Sequence, residues 1–371
     1  MASTHLTSVD PFQTFKAFTS PPRRISLPAI TVEPLHPERS TQSKSPIQPE
    51  RRSRFQEQFN PSAKSQTLDQ KFNPLYTCLL FTFSDLKNIL VPQTLLGVVT
   101  ALTCSEPSIP GAPLPPALQS AIFYRLPLAA FWVWIHLLLF NTSNQTQPGA
   151  LAEDAQNKPW RPLPANRISH ASARRLFYAT SILCIAFSYV AGGLVESIVL
   201  QALTFLYDDL ALGDEWFVAR SVINSMGYTN FSLGAIQVLL RGQDTSIVLS
   251  NKGCMWLALL TFTIFTTGHI MDLEDLEGDR VSGRRTIPVL VGEEGARWSI
   301  LLPMMVGLIS VLRFWECRGA YPIVVFALGA TVVRRLAKGN DEREGYRKTF
   351  KLWTCWVMAV YLLPLFAQRW E

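Results

Sequence analysis

From Tyr76 onward the sequence alternates long apolar stretches with short polar connections, and this alternation limits the fold more than any other feature. A helix needs about 20 predominantly apolar residues to cross a bilayer. Nine stretches approach that requirement, at about 76–103, 120–140, 175–190, 192–208, 222–240, 252–272, 297–315, 319–336 and 349–367. Hydrophobic residues make up 48% of the 371 residues and charged residues 17%, which is too apolar for an ordinary soluble enzyme. We therefore predict an all-α polytopic membrane protein with nine transmembrane helices.

The first 72 residues differ in composition from the rest of the chain. They are rich in Ser, Pro, Arg and Gln, as in PPRRISLPAI, and show no apolar periodicity. A segment of this kind cannot bury enough surface to order itself, so we predict a disordered cytosolic tail at 1–72 and a transmembrane domain at 73–371. A mitochondrial transit peptide is the alternative, but Asp10, Glu33 and Glu38 are acids that such peptides avoid.

Basic residues are concentrated in one set of connections. If all nine stretches cross the membrane, the tail and the connections after the second, fourth, sixth and eighth helices share one face, and that face carries most of the Lys and Arg. By the positive-inside rule this face is cytosolic. The net charge of +6 is then a topology signal, and we expect no nucleic-acid partner. We expect a multi-pass protein of the endoplasmic reticulum with its polar segments facing the cytosol, and no protein partner is predicted.

Three carboxylates follow the sixth apolar stretch, in the segment HIMDLEDLEGDRVSGRRTIPVLVG at 269–292. Asp272, Asp275 and Asp279 stand at positions i, i+3 and i+7, so they share one stripe of a helix with about 100° per residue. Most acidic runs are solvated helix ends, but carboxylates at membrane depth are costly and usually functional. Oxygen ligands of this kind suit Mg²⁺ together with substrate phosphates. The sequence therefore predicts a metal and diphosphate site here.

The connection after the second stretch, NTSNQTQPGALAEDAQNKPWRPLPANRIS at 141–169, offers complementary groups. Its oxygen ligands are Asn144, Glu153 and Asp154, and its candidate phosphate donors are Lys158, Arg161 and Arg167. Arginine matches phosphate geometry because its guanidinium presents a planar fork of donors. Taken alone, this segment is only a Pro-rich basic loop. On the same membrane face as the acidic stripe, it becomes the second half of a diphosphate site.

These two segments resemble the motifs of the UbiA superfamily of intramembrane prenyl-diphosphate enzymes. The first motif, an Asn followed by spaced acids ahead of NKPxRPxP, is matched by Asn144, Asp154 and the run at 157–164. The second motif, DxxDxxxD leading to GDRxxGxRTxPVLxG, is matched across 272–292. The resemblance covers about 75–367. It implies a bundle of nine helices around a central lipophilic cavity, with two Mg²⁺ ions between the motifs.

The resemblance also implies roles for individual residues. Asp154, Asp275 and Asp279 are expected to be catalytic, and the Mg²⁺ ligands are expected to be Asn144, Glu153, Asp154, Asp272, Asp275 and Asp279. The expected diphosphate-binding residues are Lys158, Arg161, Arg167, Arg280 and Arg284. The first motif departs from the usual pattern, because Asp154 lies ten residues after Asn144 and Ala150 stands where an acid is expected.

The sequence looks most like a fungal secondary-metabolite branch of this superfamily that includes membrane-bound terpene cyclases. This resemblance implies a Mg²⁺-dependent cyclase that ionises farnesyl diphosphate and closes the chain into a sesquiterpene. In the alternative, an aromatic prenyltransferase, a bound aromatic acceptor attacks the same allylic cation. A membrane lipid-binding or transport protein is a third possibility, but it predicts acids in mid-helix instead of at helix ends.

Other polar and aromatic residues give weaker signals. The connection 206–228 is interpreted as a polar cap, although its acids could form a third edge of the site and Arg220 and Asn224 could reach it. His136 either lines the cavity or is a hydrogen-bonded interior histidine, and His269 is a candidate for tuning the acidic stripe. The candidate cavity aromatics are Phe81, Phe83, Tyr124, Phe131, Trp134, Trp256, Phe262 and Phe265.

Overall fold

The computed structural model describes residues 73–106, 115–147, 149–241, 248–317, 319–339 and 343–367. Within these ranges the chain is helical, apart from short connections and one antiparallel pair of two-residue strands, β1 (Ser105–Glu106) and β2 (Val248–Leu249). The prediction of an all-α protein is confirmed. The tail predicted at 1–72 lies outside the described residues.

The α-helices of the described part, in chain order, are α1 (Pro74–Thr82), α2 (Val91–Thr103), α3 (Pro116–Gln145), α4 (Ala150–Asn157), α5 (His170–Ala191), α6 (Leu194–Thr204), α7 (Leu212–Glu215), α8 (Phe217–Leu240), α9 (Asn251–Thr267), α10 (Asp272–Ser282), α11 (Ile287–Phe314), α12 (Tyr321–Lys338) and α13 (Arg343–Tyr361). Two π-helical turns, Leu86–Leu90 and Phe205–Asp209, precede α2 and follow α6. A 3₁₀ turn, Gly268–Met271, joins α9 to α10.

Local sequence explains where several helices begin. Ser169 and Ser250 cap α5 and α9, and their hydroxyl oxygens accept hydrogen bonds from the backbone N–H groups three residues later. Prolines stand in the first turn of α2, α3, α11 and α12, where a missing N–H costs nothing. These signals lie at the ends of the apolar stretches, so the helix pattern follows the hydropathy pattern.

Among the residues that the structure describes, four helical segments are long and apolar enough to cross a membrane: Leu86–Thr103, Pro116–Gln145, Asn251–Ser282 and Ile287–Phe314. They correspond to the first, second, sixth and seventh predicted spans. The other five predicted spans are also helical, in α5, α6, α8, α12 and α13. Their crossing of the membrane, and so the count of nine, stays a prediction. Large apolar side chains such as Ile182, Val190 and Leu302 are 66–73% exposed, as expected for surfaces that face lipid.

The first predicted span is not one continuous helix. α1 ends at Thr82, the chain turns through Ser84 and Asp85, and a π-helical turn leads into α2. The backbone N–H of Asp85 donates to the Thr82 carbonyl at 2.9 Å, and the Asp85 carbonyl accepts from the N–H of Ile89 at 2.7 Å. The break directs the polar pair Ser84 and Asp85 toward a basic side chain of the site, described below.

α8 packs between two hydrophobic cores. One core joins α9, α11, α12 and α13 around fully buried tryptophans, and the other joins α2, α3 and α8. Two polar side chains of α8, Asn230 and Ser232, have partners inside the bundle. Asn230 donates to the Glu196 carbonyl at 2.6 Å, and Ser232 donates to the Gln93 side chain at 2.7 Å. Satisfied polar groups are tolerated in such a core.

Candidate active site

The two motif segments meet where α4 lies against α10. Asn157, the last residue of α4, packs directly on Gly278 of α10, and a Cβ atom at position 278 would collide with the Asn157 amide. The absence of a side chain at Gly278 therefore lets the Asn157 amide pack against α10, and a side chain there would displace that amide. At the same contact, Lys158 Nζ lies 3.5 Å from Asp275 Oδ2. The juxtaposition of the two segments expected from the sequence is present in the structure.

Arg284 lies at the centre of the polar groups. Its guanidinium contacts Glu153 of the first segment at 2.5 Å, Asp214 at 2.6 Å and Asp279 at 3.9 Å. The arginine is buried, and the surrounding carboxylates raise the pKa of its guanidinium above the usual value despite the opposing effect of burial. Arg284 therefore joins three acidic side chains from three separate segments.

Arg284 can take this position because α10 ends just before it. Gly283 adopts φ of +81°, a left-handed conformation that terminates α10, and the backbone N–H of Arg284 donates to the Asp279 carbonyl at 3.0 Å. The chain then turns back toward the cluster. Asp279 is almost fully buried and accepts a hydrogen bond from the Thr286 hydroxyl at 3.0 Å. The GDRxxGxRT sequence thus builds a compact helix end that holds both charges.

Arg161 organises the first motif segment. Its guanidinium donates to Asp154 at 2.6 Å and reaches Ser84 Oγ at 3.5 Å and Asp85 at 3.9 Å, across the break between α1 and α2. Burial raises the pKa of the Asp154 carboxyl, and Arg161 and Lys158 oppose that shift. One carboxylate oxygen of Asp154 is bound by Arg161. The other, Oδ2, is buried without a hydrogen-bond partner.

The connection between α6 and α8 forms a third edge of the site. It is interpreted from the sequence as a polar cap, but its acids bind residues of the other two segments. Asn144 donates to Asp208 Oδ1 at 2.9 Å, and Asp214 receives Arg284. Arg220, at the start of α8, donates to Asp272 Oδ1 at 2.9 Å and to the hydroxyl of Tyr207. Arg220 links the third edge to the acidic stripe.

We use the term polar cluster for the polar and charged side chains that meet at the site. Its members are Asn144, Glu153, Asp154, Lys158, Arg161, Asp208, Asp214, Arg220, Asp272, Asp275, Asp279 and Arg284.

Two predicted diphosphate-binding residues are not brought into the polar cluster. Arg280 is more than half exposed and pairs with Glu277, 3.7 Å away on the same side of α10. The Arg167 guanidinium lies over the Tyr76 ring, 5.4 Å from its centroid. Neither makes an ion pair with an acid of the polar cluster within the described part of the chain. The helix period turns Arg280 away, and the loop geometry after Pro164 directs Arg167 toward α1.

The Arg220 cavity adjoins the polar cluster. It lies between α8 and the junction of α9 and α10, and Arg220, Asp272 and His269 contribute to its wall. It shares two wall residues, Asn224 and Tyr228, with the Phe140 cavity, which lies between α3, α6 and α8. Its wall is formed mainly by Ile89, His136, Phe140, Leu200, Leu203, Ile223 and Phe231.

Most of the predicted cavity aromatics lie elsewhere. Phe265 lines the Arg220 cavity, whereas Phe83, Tyr124 and Phe262 are 62%, 85% and 61% exposed. The aromatic wall of the Phe140 cavity comes instead from Phe140, Tyr228 and Phe231. His136 lines this cavity and also has two partners, the Trp132 carbonyl and the Ser197 hydroxyl, each at 2.7 Å. Both sequence interpretations of His136 are therefore correct at once.

Comparison with known proteins identifies the family. Residues 117–355 match the UbiA prenyltransferase family. The chain belongs to this family. It is 24% identical over 296 residues to the fumagillin beta-trans-bergamotene synthase of Aspergillus fumigatus, covering 79% of this chain and 92% of that protein. It is 28% identical over 236 residues to the diterpene cyclase eriG of Hericium erinaceus, covering 62% and 72%.

The fold is similar to that of a UbiA homolog from Archaeoglobus fulgidus whose structure was solved with bound DMAPP and Mg²⁺. The TM-score is 0.50 at 13% sequence identity, and the match covers 77% of this chain and 99% of that one. Together with the four apolar helices, membership of the UbiA family makes this an integral membrane protein.

The polar cluster of this UbiA protein has the donor atoms that Mg²⁺ requires, although they are not arranged as a closed metal site. Within the described ranges, no group of three or more His, Cys, Asp or Glu side chains is placed to hold an ion. The acids face arginines and lysines instead. However, Asp154 Oδ2, Asp208 Oδ2 and Asp279 Oδ1 are buried without hydrogen-bond partners. Buried carboxylate oxygens left unpaired need a cation or water, so the residues fit a hard, oxygen-liganded ion.

Proposed function

We propose that the protein is a membrane-bound, Mg²⁺-dependent terpene cyclase that ionises farnesyl diphosphate and cyclises it to a sesquiterpene, such as beta-trans-bergamotene, in fungal secondary metabolism. The observation that carries the proposal is that the Arg220 cavity, lined by Arg220 and Asp272 of the polar cluster, shares the wall residues Asn224 and Tyr228 with the apolar Phe140 cavity. A prenyl diphosphate matches this arrangement, because it has a charged diphosphate head and an apolar hydrocarbon chain. The similarity to the Aspergillus fumigatus synthase supports the cyclase among the activities of the family.

The proposed ion-binding residues are those expected from the sequence. Asn144, Glu153, Asp154, Asp272, Asp275 and Asp279 would hold Mg²⁺, as the DMAPP and Mg²⁺ complex of the Archaeoglobus fulgidus homolog suggests for this fold. When bound, the ion would neutralise charge on the diphosphate. We assign Asp154, Asp275 and Asp279 as the catalytic acids because each keeps a buried oxygen without a hydrogen-bond partner, and Asp275 also lies at the contact between the segments.

The basic residues of the polar cluster would bind the diphosphate itself. Three of them were expected from the sequence: Lys158, Arg161 and Arg284. Arg220 is added because it contributes to the cavity wall together with Asp272. In the absence of substrate these cations are paired with acids. Arg167 and Arg280 are weaker candidates for this role because they point elsewhere. Preorganised cations near the leaving group stabilise the charge that develops as the bond breaks.

The apolar cavity would then determine the fate of the cation. The C1–O bond breaks heterolytically, its electron pair leaves with the diphosphate oxygen, and an allylic carbocation remains in a cavity that excludes bulk water. Aromatic faces stabilise cations within about 6 Å of the ring centroid. The double bonds of the chain attack the cation to close rings, and loss of a proton from carbon gives the hydrocarbon product.

An aromatic prenyltransferase is the second candidate function. The family as a whole is named for prenyl transfer. In that case an electron-rich carbon of the acceptor attacks the allylic cation, and the acceptor loses a proton. The ionisation step and the polar cluster would be the same in both reactions.

The test uses microsomes that contain the protein, supplied with farnesyl diphosphate and Mg²⁺ but no acceptor, followed by analysis of headspace volatiles. We expect a sesquiterpene hydrocarbon that disappears when EDTA is added and returns with excess Mg²⁺. Microsomes carrying the Asp275→Ala variant are the matched control. Consumption of farnesyl diphosphate only in the presence of an aromatic acid would contradict the cyclase and support the transferase.

The proposed location is the endoplasmic reticulum, with the polar cluster facing the cytosol. The basic connections on that side support this orientation through the positive-inside rule. The tail at 1–72 would then be cytosolic and the domain at 73–371 would carry the site. An epitope tag at the N-terminus should be digested by protease added to intact microsomes. Protection of the tag would overturn the orientation.

A further inference from the structure

One face of α8 runs from the polar cluster into the Phe140 cavity. Arg220, Asn224, Gly227, Tyr228 and Phe231 all contribute to cavity walls. They stand at i, i+4, i+7, i+8 and i+11, so at about 100° per residue they fall within about 100° of one another. The stripe begins with a guanidinium bound to Asp272 and ends with an aromatic ring in a hydrophobic core.

Asn224 and Tyr228 occupy the point where the two cavities meet. They are the two residues that line both the Arg220 cavity and the Phe140 cavity as described. A prenyl diphosphate with its head at Arg220 and its chain in the Phe140 cavity must pass across this part of the α8 face. The atoms that pass there are those at the boundary between head and chain, namely C1 and the oxygen bonded to it.

The polar atoms of both residues are free to meet a ligand. Within the part of the chain that the structure describes, the Asn224 amide and the Tyr228 hydroxyl have no hydrogen-bond partner. The neighbouring polar residues of α8 differ in this respect, because Ser225 donates to the Val222 carbonyl and Asn230 to the Glu196 carbonyl. Polar groups that line a cavity inside a helical bundle without partners indicate a binding function.

We propose that Asn224 and Tyr228 flank the bond that breaks, and that they are catalytic residues for ionisation of the prenyl diphosphate. Resting on the function proposed above, this assigns separate tasks to the two side chains. The Asn224 amide donates a hydrogen bond to the bridging oxygen, which receives the electron pair of the C1–O bond. The Tyr228 ring presents its face to the allylic carbons, which keep the positive charge.

Gly227 makes this arrangement possible. It lies beside Tyr228 on the cavity wall, and a Cβ atom added there would meet nothing within 4 Å. The space in front of Gly227 is therefore open, and the first isoprene unit of the substrate occupies it. A side chain at 227 would extend into this space and displace the chain from the Tyr228 face.

The experiment measures release of pyrophosphate from farnesyl diphosphate, with kcat and KM determined separately for each variant. We expect Asn224→Leu, which has a similar volume without polar atoms, to lower kcat about a hundredfold while changing KM less than about threefold. Tyr228→Leu should lower kcat about tenfold and alter the product mixture, whereas Tyr228→Phe, which keeps the ring, should stay within about threefold of wild type. Gly227→Leu should lower turnover of farnesyl diphosphate and of dimethylallyl diphosphate to a similar extent, because both carry the first isoprene unit.

Matched controls are Val222→Ala and Met226→Ala, whose side chains are 38% and 46% exposed on α8. They should leave kcat unchanged. If Asn224→Leu does not fold, as judged by its melting temperature in detergent, Asn224→Ser takes its place. Wild-type kcat in the folded Asn224 variant, or equal rates for Tyr228→Leu and Tyr228→Phe, would overturn the proposal.

The experiment distinguishes failure of the roles assigned to Asn224 and Tyr228 from failure of the proposed cyclase activity. If wild-type protein releases pyrophosphate only with an aromatic acceptor, the cyclase is wrong, and the same variants then test the flanking residues with the acceptor present. If wild type forms a hydrocarbon but the variants behave as wild type, the cyclase stands and the flanking assignment fails. No release under either condition would overturn both.

Discussion

Arg220 and Phe231 lie about three turns apart on the same face of α8, and their surroundings are built in opposite ways. Around Arg220, charged groups from three segments pair with one another at 2.5–3.9 Å. Around Phe231, mostly apolar side chains line the Phe140 cavity. The geometry of the polar cluster is set by individual ion pairs, whereas the Phe140 cavity is defined by the shape of its wall.

This difference separates two steps of the proposed reaction. Breaking a bond to diphosphate requires charges in fixed positions, so single changes in the polar cluster should affect the rate. Guiding a carbocation through ring closure requires a boundary of the right shape, so single changes in the cavity should affect the product. Variants in the polar cluster and variants in the Phe140 cavity should therefore separate effects on rate from effects on product.

The largest effect is expected from the acidic stripe. Asp275→Ala and Asp279→Ala should each lower pyrophosphate release by at least about 10²–10³-fold, because each removes a carboxylate assigned to the ion and the leaving group. Release is measured in microsomes at matched expression, with Glu277→Ala as a control on the exposed side of α10. An Asp275→Ala protein with wild-type activity would break the assignment of the stripe.

Arg284→Gln should affect both stability and activity. It leaves the buried carboxylates of Glu153 and Asp279 without their cation, and breaking a buried pair costs about 3 kcal/mol. A lower melting temperature of the detergent-solubilised protein measures the loss. The matched variant Arg280→Gln changes an exposed arginine one turn away and should shift the melting temperature little. Equal effects would mean that burial does not distinguish the two arginines.

Gly278→Ala tests the contact between the two motif segments. The added methyl group collides with the Asn157 amide, and overpacking of this kind costs about 1–3 kcal/mol. We expect a moderate loss of activity that is partly restored in the double variant Gly278→Ala with Asn157→Ala. A double-mutant cycle on the melting temperature measures the coupling. Additive effects would show that the two residues do not contact each other.

The smallest effect on rate is expected in the cavity. Phe140→Leu keeps the wall apolar but changes its shape, so pyrophosphate release should stay within about threefold while the hydrocarbon mixture changes. Gas chromatography of the volatiles measures the mixture. Phe262→Leu, at a side chain 61% exposed, serves as the control and should change neither quantity. A large loss of rate with an unchanged product would reverse the division between the two regions.

The sequence by itself determined the helical class, the positions of the apolar stretches and the acidic stripe of α10. These features depend on local periodicity, and Asp272, Asp275 and Asp279 share a stripe because a helix repeats every 3.6 residues. The motif segments could also be paired from sequence, because parity placed their ends on one face. The resemblance named both Arg280 and Arg284 as diphosphate-binding residues, but nothing local showed that Gly283 would end α10 and place Arg284 in the polar cluster while Arg280 pairs with Glu277.

The tertiary structure decided which distant residues complete the site. Arg220 and Asp272 are 52 residues apart in the chain, and Asn144 and Asp208 are 64 apart, so their pairing depends on how whole helices pack. The same is true of the cavity, whose aromatic wall comes from α3 and α8 and includes few of the aromatics chosen by sequence position. Helix periodicity states which residues share a face, but only packing determines what that face contacts.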